Sequence, residues 1–146
     1  MKDEPSASEY PALRDWSEGV AAAAPGTLRF INLLPNYATP AQLGTSSYGE
    51  YVEKFFDDTN ESTAASAPDL LCMDAYPFFW LSNMSRNAST DGYHRNLAVM
   101  RDASLRHAVP FWNFFNAMPF NNHLAPTQGQ IAWQAFTSLA LSLIHI

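Results

Sequence analysis

Apolar runs that end in polar residues recur along the chain, and helix-like apolar spacing follows each run. Residues 28–34, 70–74 and 109–115 are nearly continuous in apolar character, which is typical of parallel strands that are covered on both faces. The end of a further strand is predicted at Asp3-Glu4-Pro5, directly before the first helix. The pattern therefore predicts an α/β fold of about four βα units with parallel strands.

Helix-start motifs support the predicted helices, which cover residues 9–24, 47–60, 92–107 and 127–140. Ser47 with Glu50 and Thr127 with Gln130 have the capping-box spacing that opens the second and the fourth helix. Between the first strand and the second helix, residues 36–46 are rich in Thr, Ser, Pro and Gly. We expect them to form a loop.

Two architectures accommodate these units: part of a (β/α)8 TIM barrel, or one doubly wound sheet. A whole barrel takes about 250 residues, so a chain of 146 residues is expected to be a partial one. No glycine-rich phosphate loop follows any strand, which disfavours a nucleotide-binding doubly wound fold. Residues 141–146 match the translation of a transposon end used in sequencing-library preparation. We therefore expect residues 1–140 to be a fragment of a catalytic domain and the last six to be an artefact.

Composition excludes several classes of protein. Hydrophobic residues make up 47% of the chain and charged residues 15%, which excludes a disordered segment. The net charge of −6 with 8 Lys and Arg argues against nucleic acid as a partner. No apolar run approaches the roughly 20 residues of a membrane span, and no side chains have the spacing of metal ligands. Neither a metal nor a cofactor is predicted.

Three N-x-Ser sequons occur, at Asn60, Asn83 and Asn87. Such sequons are acceptors for glycosylation in secreted eukaryotic proteins. The sequons are the only ground on which an extracellular or secretory location of the protein is favoured.

Two carboxylates at predicted strand ends, Glu4 and Asp74, are the candidate catalytic pair. Loops converge at the carboxyl ends of parallel strands, where such folds carry their chemistry. Glycosidic cleavage needs two carboxyl groups, about 5–5.5 Å apart for retention or about 6.5–9.5 Å for inversion. With about 4.8 Å per strand, residues two strands apart reach either separation. We predict Glu4 as a general acid whose pKa is raised by burial, and Asp74 as nucleophile, base or sugar ligand.

Polar and aromatic side chains near the same strand ends are candidate carbohydrate ligands. They offer hydrogen bonds to sugar hydroxyls or flat faces for stacking. Core packing is the alternative for each, because only about half of neighbouring strand residues face the same side. The candidates are Asn32, Asn36, Tyr37, Tyr76, Trp112, Asn113 and His123.

The ordered motifs Asp-Glu-Pro-Ser, Ile-Asn-Leu-Leu-Pro-Asn-Tyr-Ala, Pro-Asp-Leu-Leu-x-Met-Asp-x-Tyr-Pro-Phe, Val-Pro-Phe-Trp and Trp-Gln-Ala-Phe-x-Ser-Leu-Ala span residues 3–140. In this order they resemble a group of glycoside hydrolases with a (β/α)8 barrel. That group is related to the β-galactosidase-like enzymes of the large retaining clan. The resemblance implies that these strands are the fourth to the seventh of a barrel.

The resemblance also implies roles for two strand ends. Glu4 matches the acid/base glutamate that ends the fourth strand in that clan. The clan's nucleophile is a glutamate at the end of the seventh strand, whereas residues 109–116 contain no carboxylate. Because of this departure, a non-catalytic carbohydrate-binding barrel and a barrel hydrolase or lyase acting on another polar substrate stay as alternatives.

Overall fold

A three-stranded parallel sheet forms the centre of the fold in this computed structural model, which describes residues 3–56, 69–78, 86–121 and 123–142. The strands are β1 (Asn32–Leu33), β2 (Leu71–Asp74) and β3 (Phe111–Phe114), paired in this order. The prediction of an α/β fold with parallel strands is thereby confirmed. A barrel is not shown, because the described residues contain three strands and no closed sheet.

The predicted strand end at Asp3-Glu4-Pro5 lies beside β1 without forming a strand of its own. The Glu4 amide donates a hydrogen bond of 3.0 Å to the Asn32 carbonyl. All three strands are shorter than predicted. Leu28, expected in the first strand, is 48% exposed, and Pro110 has no N–H for a ladder, although its carbonyl accepts a 2.9 Å bond from the Leu71 amide.

Helices connect and follow the strands. Their bounds are α1 Tyr10–Ala23, preceded by a 3₁₀ turn at Ala7–Glu9, α2 Pro40–Leu43, α3 Tyr48–Phe56, α4 Arg86–His107 and α5 Gln128–Ser142. Two expectations are corrected by these bounds. The helix predicted from residue 92 begins at Arg86, and the segment predicted as a loop contains α2. Sequons at Asn60 and Asn83 lie outside the described residues, as does the side chain of Asn87.

Capping interactions explain where the short and the last helix begin. Thr39 and Gln42 form a capping box at α2, and Gly44 ends that helix in the left-handed conformation with φ 69°. The predicted box of Thr127 and Gln130 is formed, with hydrogen bonds of 2.8 and 3.3 Å. At α3 only half of the predicted box is present, because Glu50 binds Ser46.

The core lies between one face of the sheet and the helices. Alternate strand residues, Leu33, Leu71, Met73 and Phe111, are buried with α3 and α4 in one hydrophobic cluster. The opposite face carries the intervening residues. On this second face, Trp112 and Phe114 are 45% and 46% exposed and contact Phe30. The sheet therefore has one face packed against helices and one face that is partly open.

Candidate functional site

Acidic side chains meet at the carboxyl edge of the sheet. Asp74 is the last residue of β2, and the Glu4 amide is held on the Asn32 carbonyl beside β1 at 3.0 Å. The Asn32 side chain donates to the Asp3 carboxylate at 3.0 Å. We call Asp3, Glu4 and Asp74 the acidic cluster. The two predicted catalytic carboxylates thus lie at one edge of the sheet, with the end of β1 between their segments.

Glu4 has a strained backbone. Its φ of 48° lies in the left-handed region, which costs a residue with a side chain about 1–2 kcal/mol. Such conformations persist only where surrounding contacts impose them, and they concentrate at functional sites. The contacts around Glu4 therefore hold its backbone in a conformation that residues with a side chain rarely adopt.

The electrostatics of the acidic cluster favour a proton on Glu4. Partial burial raises the pKa of Glu4 to about 7, and the negative charges of Asp74 and Asp3 and a hydrogen bond with the Asp74 side chain act in the same direction. Burial also raises the pKa of Asp74, against hydrogen bonds from Asn32 and Tyr76. Near neutral pH, Glu4 is divided between its acid and its base form, which suits general acid–base catalysis.

Asp74 keeps one carboxylate oxygen available. Its Oδ1 atom is buried and has no hydrogen-bond partner among the described residues. A buried acceptor that lacks a donor is costly.

An aromatic wall of Tyr76, Phe120 and His123 stands beside the cluster. The Phe120 and His123 rings stack with centroids 4.4 Å apart, and Tyr76 meets both edge-on, at 4.9 and 5.3 Å. Burial lowers the pKa of His123, against the Phe78 backbone and the charge of Asp74. The imidazole is therefore predominantly neutral at pH 7, so the wall presents mainly flat, uncharged surfaces.

Tyr37 also lies within the field of the cluster. Its ring is 56% exposed, and its pKa is raised by partial burial and by the charges of Asp74 and Glu4. Together with Asn32 and Tyr76, it surrounds the two carboxyl groups. Of the predicted ligands, four therefore lie at the candidate site: Asn32, Tyr37, Tyr76 and His123.

The remaining predicted ligands lie elsewhere. Asn36 donates from its side chain to the Gly92 carbonyl at 2.9 Å and from its amide to Asn96, which ties the loop after β1 to α4. Asn113 points to the helix side, where its Nδ2 atom donates to the Tyr93 hydroxyl at 2.8 Å. Trp112 lies on the open face of the sheet, two residues before the end of β3. A sugar role for these three residues stays a prediction.

Two residues of the site, Asp3 and Phe120, are not among the site residues predicted from the sequence. The left-handed Asn121, with φ 47°, makes the turn that closes the Phe120–His123 bridge, and Asn is a residue that tolerates this conformation. Tyr51, a buried residue of α3, is also absent from that prediction, although its hydroxyl contacts the Glu4 segment.

Comparisons with known proteins return no relative for this chain: no protein-family model, no curated protein and no solved structure matches it significantly. Across the ranges that the structure describes, no helix combines the length and apolar character needed to cross a bilayer. In the same ranges, no three His, Cys, Asp or Glu side chains gather as metal ligands do. The glycoside hydrolase resemblance therefore stays a prediction, and the chemistry of the site carries the functional argument.

Proposed function

We propose that the chain is part of a (β/α)8-barrel glycoside hydrolase that cleaves O-glycosidic bonds in an oligo- or polysaccharide. Glu4 is the general acid, and Asp74 is the second carboxyl group. The observation that carries the proposal is the pairing of these two side chains at the carboxyl edge of a parallel sheet, with the pKa of Glu4 raised to about 7. Two carboxyl groups held at different protonation states are what glycosidic cleavage requires.

The two faces of the sheet support the barrel. In a barrel, helices cover the outer face of the strands, and the inner face lies under the active site. The described helices α3 and α4 pack on one face, and the other face bears the half-exposed Trp112 and Phe114. Further strands closing the sheet would cover these aromatic side chains.

The proposed reaction begins with the proton on Glu4. Glu4 transfers this proton to the glycosidic oxygen, the bond from that oxygen to the anomeric carbon breaks, and the leaving sugar departs as an alcohol. The ionised Asp74 either attacks the anomeric carbon or takes a proton from the water that attacks it. In the first case, water later hydrolyses the glycosyl ester and returns its proton to Glu4.

Glycosidic cleavage needs room for the substrate between two carboxyl groups that lie at least about 5 Å apart. The Glu4 side chain is only partly buried, so it has room to move relative to Asp74. The aromatic wall and Tyr37 offer ring faces to the apolar side of a pyranose. The anomeric configuration of the first product, followed by NMR, distinguishes retention from inversion.

Turnover of aryl glycosides by the natural gene product that carries this chain tests the proposal. We expect Glu4→Gln and Asp74→Asn each to lower kcat/KM by about 10²–10⁴-fold, the typical contribution of a positioned acid or base. Asp15→Asn, an exposed carboxylate on α1, is the matched control and should leave turnover unchanged. Unaltered turnover in Glu4→Gln would exclude the assigned role.

One observation favours a second function, a carbohydrate-binding barrel without turnover. The resemblance leads us to expect a nucleophilic carboxylate just after β3. The buried Asn116 lies there instead, and its backbone exchanges hydrogen bonds of 2.9 and 2.8 Å with the Gln134 side chain. Calorimetry with oligosaccharides separates the two functions. A binder keeps its affinity in Glu4→Gln and shows no hydrolysis in the unaltered protein.

A further inference from the structure

The hydroxyl of Tyr51 joins two backbone segments at the candidate site. It donates to the Pro5 carbonyl at 2.8 Å and accepts from the Leu34 amide at 3.1 Å. Pro5 directly follows Glu4, and Leu34 directly follows β1. One side chain of α3 therefore fastens the Glu4 segment to the sheet from the helix side.

The ring of Tyr51 is fixed in place. Its side chain is 0% exposed, and its ring lies 5.4 Å from Tyr10 and 6.0 Å from Tyr48, centroid to centroid. Buried rings packed in this way occupy one rotamer. The position of the hydroxyl is thus set by the packing of α3.

Other contacts leave the segment little freedom on its remaining sides. The Glu4 amide binds the Asn32 carbonyl at 3.0 Å, and the Ser6 amide binds Glu9 at 2.9 Å. A Cβ atom on Gly44 would lie 2.6 Å from the Ser6 hydroxyl, so α2 also approaches closely. These contacts flank the left-handed Glu4, and the Tyr51 hydroxyl acts on the peptide unit next to it.

The geometry points to Tyr51 as a positioning residue that keeps the Glu4 carboxyl against Asp74. This inference rests on the proposed role of Glu4 as the general acid. Without the hydroxyl, the Pro5 carbonyl loses its donor, and the strained backbone at Glu4 loses a restraint. The Glu4 side chain then turns toward solvent and away from the acidic cluster.

The ionisation of Glu4 reports this movement. Partial burial, followed by the charges of Asp74 and Asp3, raises the pKa of Glu4 to about 7. Two further titratable groups, Tyr37 and Tyr51, lie within reach of its charge. A carboxyl group that leaves these neighbours and its partly buried position returns toward its ordinary value. We therefore expect the Glu4 midpoint in Tyr51→Phe to fall by about one pH unit or more.

Tyr93→Phe is the matched control. The Tyr93 hydroxyl is also buried and hydrogen bonded, to Ser138 at 2.9 Å and from Asn113 at 2.8 Å, but it lies between α4, α5 and β3. Carboxyl carbon chemical shifts of Glu4 are followed by NMR over pH 3–9 in the full chain and in both variants. Both variants should lose thermal stability, and only Tyr51→Phe should shift the Glu4 midpoint.

Tyr51→Phe with an unchanged Glu4 midpoint would overturn the inference. If that variant does not fold, the unaltered protein answers the question, since a Tyr51 hydroxyl proton that exchanges slowly and shows an NOE to Pro5 supports the contact. A hydroxyl proton in free exchange with water overturns it. The titration needs no turnover. A shifted midpoint together with full activity in Glu4→Gln would therefore reject the proposed function and keep the positioning role.

Discussion

At the two ends of the same parallel strands, the pKa values of the carboxylates are shifted in opposite directions. At the carboxyl end, Glu4 faces Asp74 and Asp3, and its pKa is raised to about 7. At the amino end, Asp69 precedes β2 and receives three hydrogen bonds of 2.7–2.9 Å from Arg29, through its backbone amide and its guanidinium group. These bonds lower the pKa of Asp69. The residue type is nearly the same. At Glu4, partial burial is the main cause of the raised pKa and the neighbouring charges add to it, whereas at Asp69 the donors of Arg29 outweigh the effect of burial.

This difference indicates that the two ends of the strands have different roles. The ion pair at the amino end joins the approaches to β1 and β2, and its partners satisfy each other. At the carboxyl end like charges meet, Glu4 has a strained backbone, and Asp74 has a buried oxygen without a partner in the described part of the chain. In barrel enzymes the amino face serves stability and the carboxyl face serves chemistry, and the two ends here differ in the same sense.

Breaking the ion pair should have the largest effect on stability. Arg29→Met removes the charged donors from a side chain that is mostly buried beside Asp69, and hydrogen bonds to charged groups contribute about 1.5–3 kcal/mol. We expect the free energy of unfolding to fall by about 2 kcal/mol, measured by urea denaturation. Arg95→Met, on the exposed side of α4, should change it by less than about 0.5 kcal/mol. Equal losses in the two variants would mean that the pair contributes nothing specific.

The backbone offers a second comparison between the two ends. Ala108 follows α4 at the amino end with φ 53°, and Glu4 has φ 48° at the carboxyl end. Ala108 occupies the position after a helix where glycine is preferred. Ala108→Gly should therefore stabilise the protein by about 0.5–1 kcal/mol, the relief of strain less the entropy of glycine.

The control for this prediction is Gly19→Ala within α1, where a Cβ atom meets nothing within 4 Å. It should stabilise by a similar roughly 0.5–1 kcal/mol, through the opposite substitution. A loss of stability in Ala108→Gly would show that the Ala108 side chain contributes more than its backbone conformation costs. The thermal midpoints of both variants measure these changes.

Sequence patterns predicted the parts of this molecule that depend on local rules. Apolar runs located β2 and β3, and the Thr127–Gln130 spacing located the start of α5, because strand burial and capping depend on adjacent residues. Glu4 and Asp74 were selected by the rule that chemistry lies at strand ends, and the structure places them together. Their roles stay predictions.

Tertiary contacts decided what the sequence could not. Asn113 lies within a strand, as Asn32 does, yet it binds Tyr93 on the helix side, since a shift of one residue along a strand reverses the face. Asn36 lies in the turn after β1 and binds the Gly92 carbonyl. The hydroxyl contact of Tyr51 joins residues 46 positions apart, and no pattern within one element contains it.

The smallest expected effect concerns the pH dependence of stability, which should have opposite signs for the carboxylates at the two ends of the strands. The folded protein holds the Glu4 proton up to about pH 7, whereas the unfolded chain releases it near 4.5, so this group's contribution to stability falls as pH rises between these values. The lowered pKa of Asp69 acts in the opposite sense, because its contribution is present above about pH 3.8 and is lost as pH falls further. Solvent around Glu4 keeps its contribution below about 1 kcal/mol.

Other residues titrate in the same pH range. The contribution of one group is therefore isolated by subtracting the stability of a variant that lacks it from the stability of the unaltered protein at each pH. His123, whose pKa is lowered, raises stability with pH below about 6.5 and opposes Glu4. Urea denaturation from pH 3 to pH 8 is therefore compared between the unaltered protein and Glu4→Gln, where the difference should change between pH 4.5 and pH 7. For Asp69→Asn it should change only below about pH 4. If the difference in the free energy of unfolding between the unaltered protein and Glu4→Gln stays constant from pH 4.5 to pH 7, the pKa of Glu4 is not raised. The two ends of the strands would then not differ as proposed.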